Sequence, residues 1–186
     1  VIGGVDLSVS AVVAFSGITT AICMTERGMG FYAAAAVAAG LSTVIGMING
    51  FLVASCNFAP FIATLATTQI AKGAAYVISN ARIIYVNETT FNFIGGGTIA
   101  KIPAVVVIAF VFAVVMSIIL TKTIVGRKIM AIGGNEETAR LAGVNVRRYK
   151  FLIYTAAGFL SGVAGVLAAC RLGAGSPTIG AEWEMD

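Results

Sequence analysis

An all-α bundle of membrane-spanning helices is the fold class this sequence predicts, and three observations predict it. Apolar residues make up 59% of the chain and charged residues 11%, against about 25% charged in a soluble domain. So few charges cannot cover a surface that faces water. The apolar residues also fall in runs of about 20, the length that crosses roughly 30 Å of hydrocarbon. The runs lack the ten-residue alternation of barrel strands, and a helix satisfies its own backbone inside lipid. About five spans are expected in one membrane domain over residues 1–186, with a short additional helix in the polar stretch 122–150.

The first span runs from about Leu7 to Thr25 and is closed by Glu26 and Arg27. From Gly28 to Ala71 no residue is charged, which is room for two crossings. The break is placed at Ser55-Cys56-Asn57-Phe58-Ala59-Pro60, because Pro60 favours a helix start and disfavours helix just before it. That gives a second span at 30–54 and a third at 60–79. A polar, glycine-rich connection follows, with Asn80, Arg82, Asn87, Glu88 and Gly95-Gly96-Gly97. The fourth span is Ile102 to Thr121, with Pro103 in its first turn, and the fifth is Phe151 to Cys170. Gly46 and Gly50 in the second span and Gly158 and Gly162 in the fifth are spaced for close helix packing.

Seven of the twelve basic residues lie between 122 and 150: Lys122, Arg127, Lys128, Arg140, Arg147, Arg148 and Lys150. Beside lipid spans such a cluster marks a cytoplasmic connection. The acidic residues within it and the spans on both sides argue against a nucleic-acid site. Counting back, the 80–101 connection faces outward, the Asn57 turn inward and the Glu26-Arg27 turn outward.

The chain has no histidine, and Cys23, Cys56 and Cys170 stand singly. The usual zinc ligands, redox pairs and catalytic bases are therefore missing, which disfavours a membrane-embedded enzyme. An ion-coupled secondary transporter would need ionisable pairs within the spans, and Asp6 with Lys72 is the pair available. Asp6 either caps the first span at the inner interface or, with Ser8 and Ser10, lines a path or holds a broken helix together. Lys72, twelve residues into the third span, either snorkels outward or pairs inside the bundle. No side chain announces a solute site; Asn49, Asn57, Gln69 and Asn80 are candidates by residue type.

The stretch Gly126 to Lys150 carries the most information. Asn135 can cap a helix. Glu136 and Glu137 sit where the helix dipole favours negative charge, and Gly143 suits a left-handed stop. A two-turn helix over Glu136–Ala142 is expected, exposing Ala139, Arg140 and Leu141. Too short to be stable alone, it is either a docking element for another protein or a solvated connector.

This stretch resembles the cytoplasmic coupling loop of the ribose/simple-sugar permease family of ATP-binding-cassette importers. The matching residues are Gly126-Arg127, Ala131, Gly133-Gly134-Asn135, Arg140-Leu141 and Gly143-Val144. Three further stretches are similar in the same order: Gly4-Val5-Asp6-Leu7-Ser8-Val9-Ser10, Ala59 through Leu65, and Cys170-Arg171-Leu172 through Pro177, Gly180 and Glu184. Ser10 stands where the family usually has Gly, and Lys72 where it often has Arg.

The resemblance implies a permease subunit without catalytic residues in the cytoplasmic (inner) membrane, moving a ribose-, xylose- or galactose-like sugar. Its partners would be a second permease subunit, an extracytoplasmic sugar-binding protein and a cytoplasmic ATPase subunit. The ATPase would hold ATP and magnesium, with no cofactor on this chain. Gly133, Gly134, Asn135, Glu136, Glu137, Ala139, Arg140, Leu141 and Gly143 would form the contact with the ATPase. A branched-chain amino-acid permease, which shares the span pattern, is the nearest alternative. The family pattern leads one to expect further spans beyond both ends.

Overall fold

The computed structural model describes residues 5–99 and 101–180. The helices are α1 (Val9–Thr25), α2 (Phe31–Ser55), α3 (Pro60–Ile78), α4 (Thr89–Gly96), α5 (Ala104–Lys122), α6 (Ile124–Gly134), α7 (Glu136–Leu141) and α8 (Val146–Leu172). Four two-residue strands accompany them: β1 (Ile84–Tyr85), β2 (Thr98–Ile99), β3 (Ile102–Pro103) and β4 (Ala174–Gly175). The architecture is a polytopic helical bundle, and the expected spans are all present as helices.

Among the described residues α2, α3, α5 and α8 are long and apolar enough to cross a membrane. α1, with 17 residues, is shorter, but it is buried on nearly every side between α2, α3 and α8. A helix that is apolar all round belongs in such a place. Local signals set the helix ends. Pro60 opens α3 at a position where its missing N–H costs nothing. α8 stops at Gly173 in the left-handed conformation, φ 69°.

The bundle is built on backbone contact between α2 and α8. Gly46 lies against the Tyr154 carbonyl and Gly158, and Gly162 lies against Ser42 and Ala39. A Cβ at Gly46 or Gly158 would collide with backbone on the opposite helix, so these glycines set how closely the two helices approach. α1 joins the pair through the Ser16 hydroxyl, which donates to the Gly162 carbonyl at 2.6 Å.

The turns segregate into two ends, as the alternation of spans requires. At one end β1 pairs antiparallel with β4, Ile84 opposite Gly175 and Tyr85 opposite Ala174. There Ala21, Phe31, Val86, Phe91 and Cys170 form the largest apolar cluster. At the other end Arg147 Nε donates to Ser55 Oγ at 2.9 Å, which sets the 122–150 region beside the α2–α3 turn. That end carries the seven basic residues; the first has Arg27, Arg82, Lys101 and Arg171. The bias of Lys and Arg toward the cytoplasm is the ground on which the richer end is expected to face inward.

Three expectations need correcting. Residues 122–150 are not a loop with one helix in it: α6 and α7 occupy most of it, and α8 begins at Val146, five residues before the expected Phe151. Arg147, Arg148 and Lys150 are therefore helical, extending α8 beyond its apolar part. The polar connection at 80–101 is also folded, with Glu88 capping α4 by accepting from Phe91 N at 2.8 Å. Phe91 is fully buried under α8, so this connection is part of the packed core.

Candidate functional site: a buried polar knot and a helix on the basic end

Two regions gather the candidate residues. The first lies where α1 begins. Residues 5–8 are not helical and run along α3. Leu7 N donates to Thr64 Oγ1 at 3.3 Å, and Thr68 Oγ1 donates to Leu7 O at 2.9 Å. Thr64 and Thr68 are the fifth and ninth residues of α3, so this open backbone lies about 6–12 Å along a spanning helix at 1.5 Å per residue. Irregular backbone at that depth survives only where protein supplies its hydrogen bonds, and the two threonines do so.

The side chains beside it form a directed chain. Thr67 Oγ1 donates to Asn49 Oδ1 at 2.5 Å. Asn49 Nδ2 donates to Ser8 Oγ at 3.0 Å, and Ser8 Oγ donates to Asp6 Oδ1 at 2.6 Å. Ser8 N also donates to Asp6 Oδ1, at 2.9 Å. Every donor points toward the carboxylate, an arrangement in which each bond polarises the next. Asn49 is 1% exposed, and burying its amide without partners would cost about 1–3 kcal/mol. The knot thus ties the start of α1 to α2 and α3.

Asp6 is not the cap of α1: Ser8 stands at the N-cap and no side chain caps it, while Asp6 accepts from Ser8 N and Ser8 Oγ just ahead of the helix. Ser8 is in the knot, and Ser10 is buried two residues further on. Lys72 is partly exposed, four residues beyond Thr68 on α3. Of the four residues named by type, Asn49 is central. Asn57 and Asn80 adopt φ 55° and 50° in turns, a conformation Asn tolerates better than most residues. Gln69 is exposed on the outer side of α3.

The threonines were not singled out from sequence. Thr64, Thr67 and Thr68 at i, i+3 and i+4 put three hydroxyls on one face, the signal that could have found them. Their bonds to residues 5–8 and Asn49 are tertiary.

The second region is the helix on the basic end. Asn135 caps α7 as expected, its side chain accepting from Thr138 N at 2.9 Å, and Gly143 has φ 80°. Glu136 and Glu137 occupy the first turn. Ala139 corrects the expectation: it is 4% exposed, packed with Ile132 of α6 and Val146 of α8. The sequence reading placed no second helix beneath α7, so Ala139 had nothing to face. Arg140 is exposed and Leu141 is 83% exposed. Gly133 and Gly134 close α6 and are also exposed.

α7 is fastened to the spans. Lys150 Nζ of α8 lies 2.7 Å from Glu136 Oε2, Lys128 lies over the Tyr149 ring at 5.7 Å, and the Ile132–Ala139–Val146 cluster fills the angle between α6, α7 and α8. An exposed ion pair contributes only about 0–1 kcal/mol, so the apolar cluster is the main fastening. Leu141 and Arg140 thus stand on an exposed edge whose other side, at Ala139, packs against Val146 of α8.

A bundle of helices long and apolar enough to span a membrane, with a short helix packed on its basic end, is the organisation of a polytopic membrane protein. The chain belongs to the family described as branched-chain amino acid transport system / permease component, which it matches over residues 1–186. It is 36% identical to the L-arabinose transport system permease protein AraH of Escherichia coli K12 over 185 residues, 98% of this chain and 56% of that protein. It is 38% identical to the ribose import permease protein RbsC of Bacillus subtilis 168, over 99% of this chain and 58% of that protein. It is 35% identical to the D-allose transport system permease protein AlsC of E. coli K12, over 98% and 56%. The chain thus spans a little over half the length of these curated relatives. No solved structure matches it.

Proposed function

We propose that this chain is part of the membrane-spanning permease subunit of an ATP-binding-cassette importer, and that the importer carries a simple sugar of the arabinose, ribose or allose kind across the cytoplasmic membrane. The observation that carries this reading is the agreement of relatives named for sugar transport across 98–99% of the chain. In this reading residues 1–186 act as one transmembrane domain, and 122–150 is its coupling region. A cytoplasmic ATPase subunit, which binds ATP and magnesium, grips the exposed edge of α7 at Arg140 and Leu141. Gly133, Gly134, Asn135, Glu136, Glu137 and Gly143 shape that edge, and Ala139 anchors it from below. An extracytoplasmic sugar-binding protein delivers the solute, and a second permease subunit completes the path. No catalytic residue or cofactor is assigned to this chain.

Closure of the ATPase pair would move α7. α8 would follow because Ala139 and Val146 share one cluster, and α2 would follow because its backbone touches that of α8. This is a rigid-body switch, with the knot at Asp6, Ser8, Asn49 and Thr67 as the joint that α1 turns on.

The family description names branched-chain amino acids, so an amino-acid permease is the second reading. Uptake by the permease reconstituted with its ATPase and binding protein separates them. Labelled pentoses and hexoses should be taken up in an ATP-dependent way. Uptake of labelled leucine or isoleucine in place of sugars would favour the second reading, and uptake driven by an ion gradient without ATP would contradict both.

A further inference from the structure

Each threonine of the buried face of α3 is offered an acceptor on its own helix and another across the packing. A threonine hydroxyl carries one proton, so each of these bonds is a choice. Thr67 Oγ1 lies 2.5 Å from Asn49 Oδ1 and 3.0 Å from Ala63 O. Thr68 Oγ1 lies 2.9 Å from Leu7 O and 2.8 Å from Thr64 O. Thr64 Oγ1 lies 2.9 Å from Pro60 O and 3.4 Å from Val5 O. One acceptor in every pair is the carbonyl four residues back on α3, the back-bond open to threonine in a helix. The other belongs to residues 5–8 or to α2. Those segments can therefore leave α3 without stranding any of the three hydroxyls.

α2 and α3 meet at few points. Besides the bond between Asn49 and Thr67, they share the cluster of Val53, Ala63 and Tyr154, the last contributed by α8. Val53 is four residues on from Asn49, and Ala63 is four residues back from Thr67. The Tyr154 ring thus sits one helical turn from that bond on both helices. Tyr154 is 6% exposed and is the largest of the buried residues of α8. Beyond it α8 meets α2 and α1 through Gly158, Gly162 and Gly165, which set a distance but present no knob.

We infer that Tyr154 is a positioning residue whose ring sets the spacing of α2 and α3, and so decides whether Thr67 donates to Asn49 or to Ala63. The three threonines then form a latch that α8 releases. As the ring withdraws, the Thr67 proton turns to Ala63 O. Thr64 and Thr68 settle on Pro60 O and Thr64 O, and the start of α1 comes free of α3. Tyr154 lies eight residues along α8 from Val146, about 12 Å at 1.5 Å per residue, and Val146 packs with Ala139 of α7. The link from α7 to the latch rests on the permease reading given above; the latch itself does not.

The test is hydrogen exchange of the 5–8 amides in the full permease in its own membrane, for Tyr154→Leu, Thr67→Val and the two combined. Thr67→Val nearly keeps the shape of the side chain and removes the hydroxyl. Each single variant should speed exchange by at least about tenfold, and the pair should be no faster than the quicker single, because both act on one bond. Tyr154→Phe, which keeps the ring, should exchange like the unaltered protein. Three results would overturn the latch: unchanged exchange in Tyr154→Leu, equal speeding across the 162–170 amides, or single effects that multiply in the pair. With the ATPase and binding protein added, Tyr154→Leu should also lower sugar uptake per ATP hydrolysed, and Tyr154→Phe should restore it. An unchanged ratio would overturn the part given to α8. No ATP-driven uptake by the unaltered assembly, with the exchange pattern intact, would keep the latch and overturn the permease reading. Should Tyr154→Leu fail to insert, Val53→Ala removes the other side of the same contact and carries the same comparison.

Discussion

α3 and α5 are both nineteen-residue spans with a Pro at or before their first turn, yet they meet their surroundings in opposite ways. From Val105 to Met116 every side chain of α5 is aliphatic or aromatic, and Ala104 is its one buried residue. α5 touches α4 at one end and α6 at the other. Between them it stands off α8, leaving apolar crevices of about 550 and 400 Å³. α3 is tied inward by three threonines and shows a glutamine outward. Similar length hides different packing: one face of α3 is buried against α1 and α2, while α5 is exposed along nearly its whole length. A spanning helix should therefore be read by the chemistry of each face, since its mean apolarity averages the two.

The largest expected effect tests that contrast directly. Val111→Arg places a charge against lipid near the centre of α5 and should cost about 2.5–3.5 kcal/mol of insertion free energy. Gln69→Arg on α3 should cost less, because the side chain it replaces is already polar. Membrane-integrated yield of the two variants measures this, and equal losses would dissolve the distinction. Asn49→Leu cuts the inward tie of α3, leaving Ser8 and Thr67 short of partners. A loss of about 1–3 kcal/mol is expected, read as lower resistance to unfolding in detergent, with the start of α1 becoming open to proteolysis.

Smaller effects follow at the two ends of the bundle. Lys150→Ala removes the pair that joins α8 to Glu136 of α7 and should change stability by less than about 1 kcal/mol, less still in high salt. At the start of α4 the bond from Phe91 N, the main cause, holds the Glu88 carboxyl below its ordinary pKa. A depressed carboxylate stabilises above its unfolded value and loses that contribution as pH falls through the lower, folded one. The cap on α4 should thus be intact at neutral pH and weaken only in acid, below the usual carboxylate range. Hydrogen exchange of the 89–96 amides would follow it, and Glu88→Gln should flatten the acid response.

Much of this was legible in the sequence, for identifiable reasons. Spans follow from composition, and Pro60, Asn135 and Gly143 act within a turn of themselves, so the start of α3 and both ends of α7 were readable. α6 was not: no helix was read over 124–134, where in the structure Gly126 makes the tight approach to the end of α5 and Gly133 and Gly134 close the helix. Without α6, Ala139 could not be recognised as buried. The knot was legible only in part, because Ser8, Asn49 and Thr67 are separated by 41 and 18 residues and meet only once α1, α2 and α3 have packed.

The central claim is that another subunit grips the exposed edge of α7. Co-purification of the ATPase subunit, measured together with sugar uptake for Arg140→Glu and Leu141→Asp, tests it most directly. Both side chains point away from the Ala139 cluster, so both variants should insert normally while binding and uptake fall by about tenfold or more, the equivalent of about 1.4 kcal/mol. Undiminished ATPase binding with normal uptake in both variants would contradict the account.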